Sequence, residues 1–533
     1  MDKDQALAGL NFGRVDAETD DRFDSCFVGT EMLTQVLQPK HALVLGSKGS
    51  GKSAAFRLLS EDRQKLKAFF PKGYEEIFCI PVYGLQNEDF VPGMELRELG
   101  STSIDDFRYF WLLSIGLKTV TALVQSEKIQ NLAEKDKKSK LASAYNTLKQ
   151  ALVDLGVVRK QGVVGKLKQR MGQLMRETPA RTPTDAPEFD KIFSGEFQQK
   201  TGMSTLALLD QIDIVLRETN CLAWILLDKL DLLFIDDFEK LKAAITGLIQ
   251  LLVEYSSRFK HIHFKIFLRH DIYRQLRIVN KSHLVSYTCD MKWRDSLLLK
   301  LLVSRAIADT TTREYCEEIS GEKIDIAEVI AGSNEQVLKL FYLIFEPSFN
   351  AKEDPDTAIP FTHVWILKHL SDGMGNIYPR ELIHMGNLAV EKQREINREA
   401  RKHESSRLIS GRAVREAFAA VSVYRCDTYL YSEFPHLSKH FDVFRGSDSA
   451  TFTREELYKL FERLSPNGDE AIRAVYDAGL LLPLGRTVDA SLDFKVPLLY
   501  RVGLGMIQRR GKARLAQKLS GAEFGDLSGV DME

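Results

Sequence analysis

The stretch HALVLGSKGSGKSAAF, residues 41–56, constrains this chain more than any other. Gly46, Gly51, Lys52 and Ser53 fit the spacing G-x-x-x-x-G-K-[ST]. The apolar HALVL before it reads as a short buried strand, and KSAAFRLLSED after it reads as a helix. A loop of small residues between a strand and a helix turns several backbone N–H groups toward one anion, at the positive end of the helix dipole. Glycines serve there because the loop takes positive φ angles and because a Cβ would strike phosphate oxygens. Gly46, Ser47, Lys48, Gly49, Ser50, Gly51, Lys52, Ser53 and Ala54 therefore form a candidate cradle for the phosphates of a nucleotide. In that reading Lys52 reaches the β- and γ-phosphates and Ser53 holds Mg²⁺.

The rest of the chain must supply the sheet that such a loop needs. With 533 residues it exceeds a single hydrophobic core, so two or three domains are expected. A hydrophobic share of 44% and a charged share of 28% are those of an ordinary globular protein. A net charge of −1 argues against a general polyanion binder, while leaving room for local patches. Cys26, Cys79, Cys221, Cys289, Cys316 and Cys426 contain no CxxC pair, which argues against a zinc site or a disulfide framework and for a reducing cytoplasmic setting. The opening MDKDQALAGLNFG has no apolar signal region, and no apolar run elsewhere approaches the ~18 residues of a membrane span, so no membrane is expected.

Strand and helix patterns keep alternating. EEIFCIPVYG (75–84) reads as a strand, and SIDDFRYFWLLSIGLKTV (103–120) as a helix opened by Ser103 with Asp106 three residues on. CLAWILLDKLDLLF (221–234) begins as the continuous apolar run of a central parallel strand that ends at Asp228. FEKLKAAITGLIQLLVEYSS (238–257) is an amphipathic helix, and HIHFKIFLR (261–269) alternates as a strand does. The series predicts an α/β fold, a parallel sheet between helices, with its ligand at the carboxyl ends of the strands. Asp228 stands where a carboxylate assists in holding Mg²⁺, and Asp231 where one orients an attacking water. Asp228 as a simple helix cap is the alternative. Arg269 is a candidate sensor of the γ-phosphate, or else a surface partner of Asp271 with Asp271 as an N-cap.

GSKGSGKS, LAWILLDKLD and FLRHDIY, with FVGTEML ahead of the first strand, resemble the AAA+ and STAND class of P-loop ATPases. The similarity is greatest to stand-alone bacterial ATPases encoded near anti-phage defence genes, and more distant to origin-recognition ATPases. It covers roughly residues 10–60 and 205–395. It implies ATP and Mg²⁺ as ligands, adenine contacts at Phe27 and Val28, and a phosphate-touching arginine at the start of a lid helix. GNIYPRELIHMGNLAV (375–390) matches that element, with Pro379 at the helix start and Arg380 as the arginine. It also implies an ATP-linked homo-oligomer whose site is completed by an arginine of the next subunit, for which Arg269, Arg294 and Arg305 are candidates, with a structural role as the alternative for Arg294 and Arg305. One departure matters: where AAA+ enzymes follow the strand-end aspartate with a water-polarising glutamate, this chain has Lys229. The DKLD pattern is closer to slowly hydrolysing signalling ATPases.

The expected layout is a P-loop ATPase core in two parts (1–127 and 205–310), a basic helical insertion (128–204), a helical lid (311–440) and a winged-helix-like domain with a basic tail (441–533). In the last, TREELYKLFERL and NGDEAIRAVYDAGLLLPLG read as helices and SLDFKVPLLYRVGLG as a β-ribbon. Asp469, Glu470 and Asp477 surround Arg473 in the second helix, which disfavours contact with DNA phosphates and favours a protein partner. Between Glu134 and Arg181 the insertion carries twelve lysines and arginines against four acids, a net of +8 in a chain of −1. That patch suits a nucleic acid or an acidic partner surface, or is simply solvated, and Tyr145 is its one residue for base stacking. The function expected is an ATP-dependent switch that assembles on nucleotide and regulates an effector protein, in anti-phage defence, with an origin-recognition-type nucleic-acid loader or remodeller as the alternative.

Overall fold

A computed structural model describes residues 2–16, 20, 31–61, 66–67, 69–83, 103–155, 197–234, 237–279, 281–348, 361–401 and 405–506. The chain divides into two compact units, one from Glu31 to Met291 and the other from Met1 to Thr30 with Lys292 to Glu533.

The unit Glu31–Met291 is built on a five-stranded parallel sheet in the order β2-β3-β4-β1-β5. The strands are β1 Leu43–Gly46, β2 Glu76–Tyr83, β3 Cys221–Leu227, β4 Ile262–Arg269 and β5 Thr288–Asp290. Every residue of β3 is buried, as its unbroken apolar run requires of a strand covered on both faces. Helices Ile104–Gln125 and Phe238–Tyr255 cover the sheet and are joined by a hydrogen bond from Trp111 Nε1 to the Ala244 carbonyl, 2.9 Å. Ser103 is the N-cap residue of the first helix, as expected, but its side chain makes no cap hydrogen bond. That helix is long and apolar enough to cross a membrane, unlike anything the sequence led one to expect. Its apolar window is 78% buried, so it is a core helix by packing.

Two details differ from the sequence reading. β4 has no solvent face despite its polar alternation: Lys265 is fully buried and donates to the carbonyls of Val36, Gln38 and His41 at 2.7, 2.6 and 2.8 Å. An ammonium so placed costs several kcal/mol of desolvation, which three short charge-assisted hydrogen bonds offset. Burial pushes it down to about 7. Second, the helices Glu127–Lys135 and Lys140–Asp154 contribute Ile129, Leu141, Tyr145, Leu148 and Leu152 to the same core as the sheet. Tyr145 is 3% exposed with its hydroxyl donating to the Val124 carbonyl, so it is not available to stack on a base. Lys135, Lys140 and Lys149 on these helices and Lys137 and Lys138 in the turn between them are exposed. The remainder of the basic stretch lies outside the described residues.

In the other unit Pro379 occupies the first turn of the 22-residue helix Pro379–Ala400, where a missing N–H costs nothing. Asn387 of this helix accepts from the backbone of Phe12 and donates to the Gly13 carbonyl, both at 2.9 Å. Arg305 is buried, donating to the Phe12 carbonyl at 2.9 Å and to Asp20 at 2.5 Å. Its guanidinium ties the N-terminal segment into this unit and is not offered to a neighbouring subunit, against its candidacy as an arginine acting in trans.

The C-terminal region runs strand, helix, helix, strand, strand: β6 Thr451–Thr453, Arg454–Phe461, Gly468–Asp477, β7 Leu482–Pro483 and β8 Asp493–Lys495. The three strands form an antiparallel sheet in the order β6-β8-β7. The ribbon expected over SLDFKVPLLYRVGLG is shorter than the sequence suggested. Its partner strand, β7, lies in the stretch assigned to the second helix, and Leu498–Arg501 turns helical after Pro497. Arg473 pairs with Asp489 at 2.8 Å, and Asp469 is held by Arg454 and by the Tyr458 hydroxyl.

Candidate nucleotide site

The sheet register brings three candidate residues to one edge. Gly46 at the end of β1 lies beside Arg269 at the end of β4, and β3 pairs with β4 through Leu227 and Ile266, so Asp228 follows at the same carboxyl edge. The Asp228 backbone N–H donates to the Tyr83 carbonyl at 2.9 Å, which fixes the strand end against β2.

Gly51, at φ 94°, is the N-cap of the helix Lys52–Ser60, a conformation that favours glycine. A Cβ at Gly46 would stand 2.3 Å from Ser50 Oγ and 3.2 Å from Met291 Cβ, so the turn out of β1 admits no side chain. Lys52 Nζ donates to the carbonyls of Gly46 and Ser47, both at 2.9 Å, and so arches back over the loop it belongs to. Burial pushes its ammonium down to about 8, against the opposing pull of Asp228 and Asp231. A triphosphate favours the charged form, so above pH 8 binding must take up a proton. ATP affinity is expected to fall about twofold from pH 7 to 8 and about tenfold by pH 9, with proton uptake visible in titration calorimetry as a buffer-dependent heat.

Asp228 is 2% exposed. Its carboxylate accepts from the Ser53 hydroxyl and from the Lys229 N–H, while burial raises its pKa. Oδ2 is buried without a hydrogen-bond partner. An orphaned carboxylate oxygen beside a hydroxyl, behind a loop shaped for phosphates, is a donor set of hard oxygens that fits Mg²⁺. Ser53 and Asp228 thus lie side by side at the mouth of the loop.

Asp231 lies one turn on, in the short 3₁₀ segment Leu230–Leu232, after Lys229 has taken a left-handed φ of 54°. Arg269 meets it with Nη1 at 3.4 Å from Asp231 Oδ2. The same guanidinium forks onto Asp271, with Nε at 3.1 Å from Oδ1 and Nη2 at 2.8 Å from Oδ2. The Arg269–Asp271 pair left open by the sequence is present, but Arg269 rather than Asp271 holds the N-cap position of the helix His270–Gln275. Asp271 is the residue whose weight at the site the sequence understated: it sets the direction in which Arg269 points.

Three further residues were expected to contribute. Phe27 and Val28 lie outside the described residues. Arg380 belongs to the other unit, at the start of the Pro379–Ala400 helix as predicted, where Nη2 pairs with Asp16 at 2.8 Å and Nε is buried without a partner.

Residues 14–286 match the model of the ORC-CDC6-like family. The chain belongs to that family. Membership makes it an origin-recognition-like AAA+ ATPase and agrees with the parallel five-stranded sheet that carries the phosphate loop. The match begins just after the N-terminal helix Lys3–Gly9 and ends at the last turn before β5. No curated protein sequence matches the chain.

Proposed function

We propose that this ORC-CDC6-like protein is an ATP-dependent switch, in which binding ATP with Mg²⁺, rather than turning it over quickly, sets the state of the molecule. The observation that carries this reading is the Asp231–Arg269–Asp271 arrangement beside an intact phosphate loop. On the binding side we assign the loop N–H donors and Lys52 to the phosphates and Ser53 with Asp228 to the metal; the buried, unpartnered Asp228 Oδ2 supports that assignment. Ser53 and Asp228 would hold Mg²⁺, which when bound would supply stabilisation of charge on the phosphates. The hydrolytic side is weaker. Lys229 occupies the place of the usual glutamate, and Asp231, the nearest alternative, faces a guanidinium that neutralises it. Arg269 engages its own chain's acids, and Arg305 is structural. Arg294, exposed at the N-cap position of the helix Asp295–Ile307, is the arginine we assign to a neighbouring subunit's nucleotide.

The output we propose is nucleotide-linked assembly that regulates an effector protein, with anti-phage defence as its setting. Light scattering with and without a non-hydrolysable ATP analogue tests it: a larger particle with the analogue is expected, and a monomer at every concentration contradicts it. Family membership supports a second output, loading or remodelling of nucleic acid, for which the exposed lysines of Glu127–Lys135 and Lys140–Asp154 offer a surface. DNA-stimulated ATPase activity decides between them, because only the second requires it.

A further inference from the structure

The helix Thr362–Leu370 packs against Leu498–Arg501, the last described helix, and Lys368 and Arg501 lie on these two helices. We infer that Lys368, Lys495 and Arg501 form a binding site for a phosphate group, separate from the nucleotide loop, carried either by a nucleic-acid backbone or by a free phosphate. Arg501 is 8% exposed; its Nε donates to the Val496 carbonyl at 2.9 Å, while Nη2 is buried with no partner. A guanidinium presents its donors in a rigid fork, so with Nε anchored Nη2 is held in a fixed direction. Lys495, on β8, and Lys368 are both exposed. Neither has an ion-pair partner among the described residues.

The electrostatics agree with the geometry. Lys495 is pulled below its ordinary value by burial first, then by Arg501 and Lys368. Arg501 is lowered by burial alone. Asp493, two residues before Lys495 on the strand, is exposed and does not figure among the charges acting on it. His369 beside Lys368 is pushed down to about 4, chiefly by burial, and so adds no charge near neutrality. Three cations gathered with one buried donor unsatisfied are unfavourable by themselves and become favourable around an anion. Phosphate suits them because its several oxygens accept from the Arg501 Nη2 group and two lysines at once.

The test uses the full chain carrying Lys52→Ala, so that the nucleotide loop takes no part and failure of the nucleotide reading cannot be mistaken for failure of this one. Titrate it with inorganic pyrophosphate by calorimetry and with a labelled 20-base-pair DNA duplex by fluorescence anisotropy across a salt series. Adding Lys368→Glu with Lys495→Glu is expected to weaken binding at least tenfold. The slope of log affinity against log salt for DNA should fall by about 1.8, or about 0.9 per lost phosphate contact. Loss for pyrophosphate alone identifies free phosphate as the source, and loss for DNA alone identifies the backbone. Should the double glutamate variant not fold, Lys368→Gln with Lys495→Gln is measured in the same way. Unchanged affinity for both probes in a folded variant, or no binding of either probe before these changes, overturns the site.

Discussion

Replacing Lys52 with alanine is expected to weaken ATP·Mg²⁺ binding by about a hundredfold or more. Lys52 is the side chain that now caps the Gly46 and Ser47 carbonyls, and its ammonium must leave them to meet the β- and γ-phosphates. Each charge-assisted hydrogen bond to a phosphate contributes about 1.5–3 kcal/mol, so loss of two removes roughly 3 kcal/mol or more. The fold should survive, since alanine at the first position of a helix is well tolerated and the two carbonyls it frees can take water. Equilibrium binding of a fluorescent ATP analogue checks this, with thermal unfolding as the control. Affinity equal to the unsubstituted protein in a folded variant would remove the phosphate-loop reading.

Asp228 and Asp231 should separate binding from hydrolysis. Asp228→Ala removes the buried carboxylate whose Oδ2 has no partner and whose other contact is Ser53. ATP affinity with Mg²⁺ is expected to drop about tenfold or more while the metal-free affinity changes little, because what is lost is an oxygen that serves the ion. Asp231→Ala, one turn on and a third exposed, should leave affinity within about twofold. Its hydrolysis should fall about tenfold or more if the carboxylate positions water once Arg269 lets it go. Equal loss of binding in both variants would mean that Asp231 has no separate role.

Much of this site was legible because the physics of a parallel sheet is written in unbroken apolar runs. LAWILL had to be a central strand, so Asp228 had to stand at a strand end, and the loop motif fixed which strand faced it. The register Gly46 to Arg269 then follows from β1 and β4 being neighbours. Residues whose role depends on a distant segment were less legible. Lys265 looked like the polar half of an alternating strand, and only the turn after helix Glu31–Val36 supplies the three carbonyls that make its burial tolerable. Tyr145 looked like a stacking residue on a basic helix, yet the helix turns its lysines outward and its apolar side into the sheet's core. Arg305 stood between a role toward a neighbouring subunit and a structural one, and it is the N-terminal segment, almost three hundred residues away, that closes over it with Asp20. At the C-terminus, Pro497 ends the extended backbone and starts a helical turn, which the apolar pattern VPLLY does not distinguish from a strand.

The central claim is that ATP is held rather than consumed. It is tested most directly by mixing the protein with a slight deficit of γ-labelled ATP and Mg²⁺, removing unbound nucleotide, and following the label on the protein with time. The account predicts that ATP stays bound and is cleaved on the order of 10⁻² s⁻¹ or more slowly, the range of nucleotide switches. Complete cleavage within a second, or a chain that retains no nucleotide at all, would contradict it.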